Sequence, residues 1–412
     1  MSAHQVKWLV KPGFIVTAIL ALCLCIISQE STFASDKPEF IHTAIIGDFS
    51  GPYASAVGPT RPGTEDGWRY INEELGGIHG VKVKPVIRDM TGKVALGLSM
   101  YNEVINLKPK PKFVDTTITP LSEALRERYV EDDVVGLHAG AVVSLYPQAN
   151  SYAYYPLYPE QLAVILKWIK GNWKKKGNPR FGIMTWDSSF GRAIMTDEFF
   201  AYAKKIGVDM VGKPQLFGVR DVDVTTQLIK LRVHRPDFLL MSLAGAGPLA
   251  VKKGCKEMGW NVGLINCTIE WGMVALAPAL FEGDIGTMPM KSFDETDDPS
   301  IKKVMHYFNK NKRTKKDRAL FYLIGWYVSL LEHKIMTDVV NKHGWKGLNT
   351  RNIMDTLNNL KDFAPLGGLT RLSFSERRRT PKVTRIYRCK SGKLLPITDF
   401  LEVPDLRPAK YR

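Results

Sequence analysis

Residues 41–80 read IHTAIIGDFSGPYASAVGPTRPGTEDGWRYINEELGGIHG, and this stretch decides the fold. Residues 41–46 form a short apolar run of the kind that makes a buried strand. Gly47-Asp48-Phe49-Ser50-Gly51-Pro52-Tyr53 is turn chemistry, which lets backbone N–H groups and a hydroxyl face a ligand. A helix is predicted over about residues 62–75. Proline stands in its first turn, Glu65 and Asp66 favour its positive end, and Gly76-Gly77 stops it before Ile78. Strand, loop and helix in this order open a parallel α/β sheet, whose ligands lie beyond the carboxyl ends of the strands.

The details go further than a generic strand–helix unit. Gly63, Glu65, Gly67, Ile71-Asn72, Gly76-Gly77-Ile78 and Gly80 follow the Phe49-Ser50-Gly51-Pro52 turn. Together they resemble the start of the branched-chain amino-acid-binding (Leu/Ile/Val-binding) family, the periplasmic solute-binding proteins of ABC importers. A second match is the strand at 180–185 running into Trp186-Asp187-Ser188-Ser189-Phe190-Gly191, similar to the family's helix opening by an Asp and an aromatic-Gly pair. The resemblance implies an α/β type I periplasmic-binding fold: two Rossmann-like lobes with parallel sheets, joined by three crossovers around a hinged cleft. On this reading residues 40–154 and 286–368 form lobe one, and 155–285 and 369–412 form lobe two.

The ends and the composition agree with such a receptor. Lys7 and Lys11 precede an apolar run at 13–27, and Ser31-Thr32-Phe33-Ala34-Ser35 follows, so residues 1–34 read as a secretory signal cleaved after Ala34. The run is shorter than the roughly 20 residues of a spanning helix, which makes a permanent anchor the lesser reading. Leu20-Ala21-Leu22-Cys23 only partly resembles a lipoprotein cleavage site, so lipid attachment is also the lesser reading. The mature product is expected in the periplasm. With 412 residues, the chain exceeds the ~250–300 residues of a single core, and 45% hydrophobic residues supply two.

A net charge of +16 raises the question of nucleic acid or acidic lipid. Yet the runs at 174–176, 310–316 and 377–379 lack aromatic interleaving and read as solvated faces; with an export signal, no nucleic-acid partner is expected. Cys255, Cys267 and Cys389 remain outside the signal, with a local disulfide between the first two as one option. No Cys/His spacing matches a metal site, and no cofactor is expected. The sequence lacks G-x-S-x-G, H-E-x-x-H and a complete phosphate-binding loop, so no enzyme is expected.

Further strands are predicted at 81–88, 113–115, 134–138, 180–185, 237–242 and 263–267, with helices between them. Residues 146–159 read as a Tyr/Pro-rich crossover loop, 121–130 as one helix, 162–173 as another, and 318–342 as a buried helix of lobe one. Carried over from the resemblance, Thr116 and Thr117 match the hydroxyl loop after the third strand, and Ala139 the small residue whose backbone faces a ligand carboxylate. Phe190 stands where the family often has tyrosine, and Glu270 best matches the acid that pairs with a ligand ammonium. Ser50, Tyr53, Tyr155 and Trp271 complete the candidate ligand-binding set, with turn-forming, hinge-packing or surface roles as their ordinary alternatives. A hydroxyl of the family pattern falls on Ala141, and a second lobe-two aromatic on Ala244-Gly245. The expected ligand is therefore a small amino acid, an amide, or an aromatic or aliphatic carboxylate, gripped by hinge closure of a monomer and delivered to an ABC permease in the inner membrane. The alternative is a periplasmic sensor of the same fold that regulates a signalling partner.

Overall fold

The computed structural model describes residues 36–146, 148–269, 274 and 277–412. The predicted signal at 1–34 lies outside them. Two sheets organise the chain. The first is wholly parallel, in the order β2-β1-β3-β4-β5, and comprises β1 (Phe40–Gly47), β2 (Lys82–Asp89), β3 (Phe113–Thr116), β4 (Val135–His138) and β5 (Ser151–Ala153). Its register sets Phe40 opposite Lys82 and Gly47 opposite Asp89, so β1 and β2 finish level and their loops meet.

The second sheet runs β13-β12-β11-β10-β9-β6-β7. Its parallel part comprises β6 (Arg180–Trp186), β7 (Asp209–Met210), β9 (Phe238–Met241), β10 (Gly263–Asn266) and β11 (Ile285–Met288). The short β8 (Gln215–Phe217) pairs with the end of β6. The chain returns late to add β12 (Val383–Lys390) antiparallel to β11, then β13 (Lys393–Pro396) and β14 (Leu401–Glu402) on β12.

The opening helix spans Thr60–Glu74 and stops as the glycines require: Gly76 and Gly77 have φ 72° and 68°, and the Gly77 N–H donates to the Ile71 carbonyl at 2.9 Å. It lies against the 24-residue helix Leu320–His343, which is buried along most of its length. At Gly63 a Cβ would stand 2.1 Å from the Tyr322 carbonyl oxygen, so only glycine permits this approach. Asp66, assigned above to the helix end, is instead fully buried. It accepts from Arg313, Asn311 and Tyr322, which fastens the opening helix to the segment leading into the long helix.

The crossover at 146–159 is not all loop: it contributes β5, and its last residues begin the helix Tyr158–Asn172. The single helix expected at 121–130 is two, Thr119–Leu125 and Arg128–Glu131. Cys255, Cys267 and Cys389 are buried and none of them is in a disulfide, so no bridge joins the first two. The charged runs are not uniformly solvated. Arg313 pairs with Glu65 and Asp66, and Arg378 is buried against Glu160 at 2.8 Å. Glu160 also accepts from the N–H groups of Leu157 and Leu406, so one carboxylate ties the crossover to the C-terminal segment. Burial pushes its pKa up even with Arg378 opposing the shift.

Candidate functional site

The carboxyl ends of both parallel arrays converge on one cavity, as open α/β sheets dispose their ligand sites. From the first sheet come Tyr53 after β1, Thr117, Ile118, Thr119 and Pro120 after β3, and Tyr155 and Tyr158 after β5. Phe190 after β6, Ala244 after β9 and Thr268 after β10 come from the second; Val57 and Phe321 complete the lining. The space between atoms is about 430 Å³, part of it continuous with solvent.

Each wall is held from behind. The Asp48 carboxylate accepts from the N–H groups of Gly51 and Tyr53 at 2.6 and 2.9 Å, and Asp89 accepts from Phe49 at 2.9 Å. That fixes the turn and aims Tyr53. Across the cleft, Ser188 caps its turn by accepting from Gly191 at 3.1 Å, and Ser242 donates to the Phe190 carbonyl at 2.9 Å. Asn266 at the end of β10 bonds both the N–H and the carbonyl of Leu243, and donates to the Thr268 carbonyl, so a single amide joins two lining loops.

The two sides already touch. Tyr53 meets Trp186 edge-on with centroids 5.8 Å apart, and Ser188 stands close enough to its phenol to oppose the rise in pKa that burial causes. Phe190 lies 6.3 Å from Trp186 and 4.8 Å from Tyr158, which in turn is 5.8 Å from Tyr155. The helix Thr119–Leu125 also packs on the turn Ser189–Arg192. The cleft is therefore closed at this edge, with rings of both sheets forming one arc.

No charged residue is among the described residues that line the cavity. Its polar groups are the hydroxyls of Thr117, Thr119 and Thr268 and the phenols of the three tyrosines. Burial is the leading cause that raises the phenol pKa of Tyr53, Tyr155 and Tyr158, so all three are neutral donors. Tyr158 donates to the Ala139 carbonyl at 2.7 Å, and Tyr155 and Tyr158 share a hydroxyl contact of 3.3 Å. Among the described residues, no group of three or more His, Cys, Asp and Glu could hold a metal ion.

Of the candidates from sequence, Tyr53, Thr117, Tyr155 and Phe190 lie on the cavity wall. Thr116 is fully buried in β3 with its hydroxyl 2.8 Å from that of Ser122, and Ala139 is buried with its carbonyl taken by Tyr158. Ser50 is exposed on the turn. Glu270 and Trp271 lie outside the described residues. Sequence reasoning had no candidate role for Phe321, Thr119 or Thr268. A polar residue closing an apolar strand, as Asn266 does, was the available signal for the last. His138 is buried at the end of β4, and burial lowers its pKa to about 3, so it is neutral.

Parallel strand ends from two sheets around a closed cavity with no charged residue among its described lining residues define a solute-binding protein of hinged two-lobe build. The chain belongs to the periplasmic binding protein family, whose model matches residues 41–393. Among solved structures, it is similar to a branched-chain amino acid ABC transporter protein from Thermus thermophilus with bound valine, at 18% identity and TM-score 0.78, covering 90% of this chain and 97% of that one. A fatty acid ABC transporter substrate-binding protein from Thermomonospora curvata is 17% identical with TM-score 0.76, covering 90% and 94%. An ABC transporter substrate-binding protein from Aeropyrum pernix is 16% identical with TM-score 0.78, covering 91% and 99%. A search of curated proteins by sequence found no match. At these identities the likeness is one of fold. The family is one of binding proteins, not enzymes.

Proposed function

We propose that this protein is the extracytoplasmic receptor of an ABC importer, exported by its N-terminal segment, that captures a small organic solute as a monomer and hands it to an inner-membrane permease. The solute is a small amino acid, an amide, or an aromatic or aliphatic carboxylate. The observation that carries this reading is the cavity built jointly by the strand ends of both sheets, because a ligand held there contacts both lobes only when they are closed. On this reading the lobes meet at crossovers near residues 154, 286 and 368. A thermal-shift screen over amino acids, amides and carboxylates tests the reading, since a ligand that binds the folded state alone raises the unfolding midpoint by mass action. Stabilisation by a polyanion and by no small molecule would remove it.

A further inference from the structure

The cavity wall is unusually rich in rings. Five of its residues are aromatic, Tyr53, Tyr155, Tyr158, Phe190 and Phe321, while Ala244, Thr117 and Thr268 contribute only small side chains. Three of the five, Tyr53, Phe190 and Tyr158, belong to an edge-to-face arc continued through Trp186, so their orientations are set by one another and not by a ligand. A fixed arrangement of ring faces and edges discriminates by quadrupole as well as by size. A flat ring that enters it gains offset or edge contacts that a saturated ring of equal area does not. Resting on the receptor reading above, we propose that the solute carries an aromatic ring, held among Tyr53, Tyr158, Phe190 and Phe321, with a single small polar head group toward the threonine hydroxyls.

The discriminating comparison keeps the head group and changes only the ring: benzoate against cyclohexanecarboxylate, benzamide against cyclohexanecarboxamide, and phenylalanine against 3-cyclohexylalanine. Leucine and hexanoate serve as open-chain controls. Calorimetric titration of the mature protein is expected to show the aromatic member of at least one pair binding about tenfold or more tighter than its saturated partner, the ratio that one or two ring contacts supply. Phe190→Leu, which keeps apolar bulk and removes a ring, is expected to shrink that ratio severalfold. Equal or tighter binding of the saturated members, or of leucine or hexanoate over every aromatic compound, overturns the aromatic assignment and leaves the receptor reading standing. Failure of all these compounds, and of the wider screen, to bind overturns both.

Discussion

Under the first sheet lies a pair of buried carboxyls whose titration sets a slope on the stability of the whole protein. Asp115 on β3 and Glu332 on the long helix are 5% and 1% exposed, and Thr43 on β1 donates its hydroxyl to Glu332 at 2.5 Å. Burial comes first among the causes for both. It pushes Glu332 up to about 8 and Asp115 well above the carboxylate range, where the neighbouring Glu332 raises it further. The other titratable groups that face Asp115 are the phenols of Tyr129, Tyr154 and Tyr327, which are neutral at these pH values. In the unfolded chain both carboxyls ionise near pH ~4. Between that pH and about 8 the folded protein holds protons that the unfolded chain has released, so stability falls as pH rises.

Each retained proton contributes ~1.4 kcal/mol per pH unit, and the full span for Glu332 is on the order of 5 kcal/mol. Glu332→Gln preserves shape and an acceptor for Thr43 and removes one proton from the balance. Urea unfolding of both proteins at pH 5, 6, 7 and 8, at constant ionic strength, should give a flatter profile for the variant. Its stability relative to the parent should rise by several kcal/mol across the series. A difference constant to within about 0.5 kcal/mol would refute the linkage, and Asp115→Asn provides the second arm of the same test.

Arg378→Ala leaves Glu160 buried without its cationic partner and should cost about 3–5 kcal/mol, read as a lower urea midpoint at unchanged slope; a loss below 1 kcal/mol would show that the pair adds little. At the third strand end, the two neighbouring threonines are expected to separate. Thr117→Ala removes a hydroxyl from the cavity wall and should weaken ligand binding several-fold, whereas Thr116→Ala breaks a buried contact with Ser122, costs about 1 kcal/mol of stability, and leaves affinity unchanged by calorimetry.

The opening unit was legible because everything that defines it is local: an apolar run, a turn, and a helix stopped by glycines that must adopt positive φ. The long helix was legible by its continuous apolar character. What escaped was set by partners far away in sequence. Ser151–Ala153 became a strand because β4 offers it an edge, although its own neighbourhood is turn-like. Arg378 sits in a run of three arginines that looks solvated, and only the fold shows that Glu160 lies beneath it. The site followed the same rule. Tyr53, Thr117 and Phe190 stand just past strand ends that the sequence marks, whereas Tyr155 was a candidate only as an aromatic of the crossover loop, since the strand before it was not legible. Phe321 opens a helix belonging to neither sheet, so no local pattern marks it, and Thr268 is signalled only indirectly, through Asn266, the polar residue that closes the strand before it.

Closure and ligand contact are entangled in such a cleft, and Tyr53 offers a way to part them. A solute shifts the open–closed equilibrium only by the contacts it makes in the closed state beyond those in the open one. The Tyr53 phenol lies beside Ser188 across the cleft, where a hydrogen bond between the two would favour closure with or without a solute. Tyr53→Phe removes the hydroxyl that would make this bond and keeps the ring in its edge contact with Trp186. A net hydrogen bond contributes about 0.5–1.5 kcal/mol, so affinity should fall roughly two- to twelvefold. If the bond acts on closure, calorimetry will show the same loss for solutes with carboxylate, amide and amino-acid head groups, because none of them enters the term that changed. A loss confined to one head group would mean that the phenol touches the solute instead, and unchanged affinity throughout would show that the cross-cleft bond has no part in holding the lobes together.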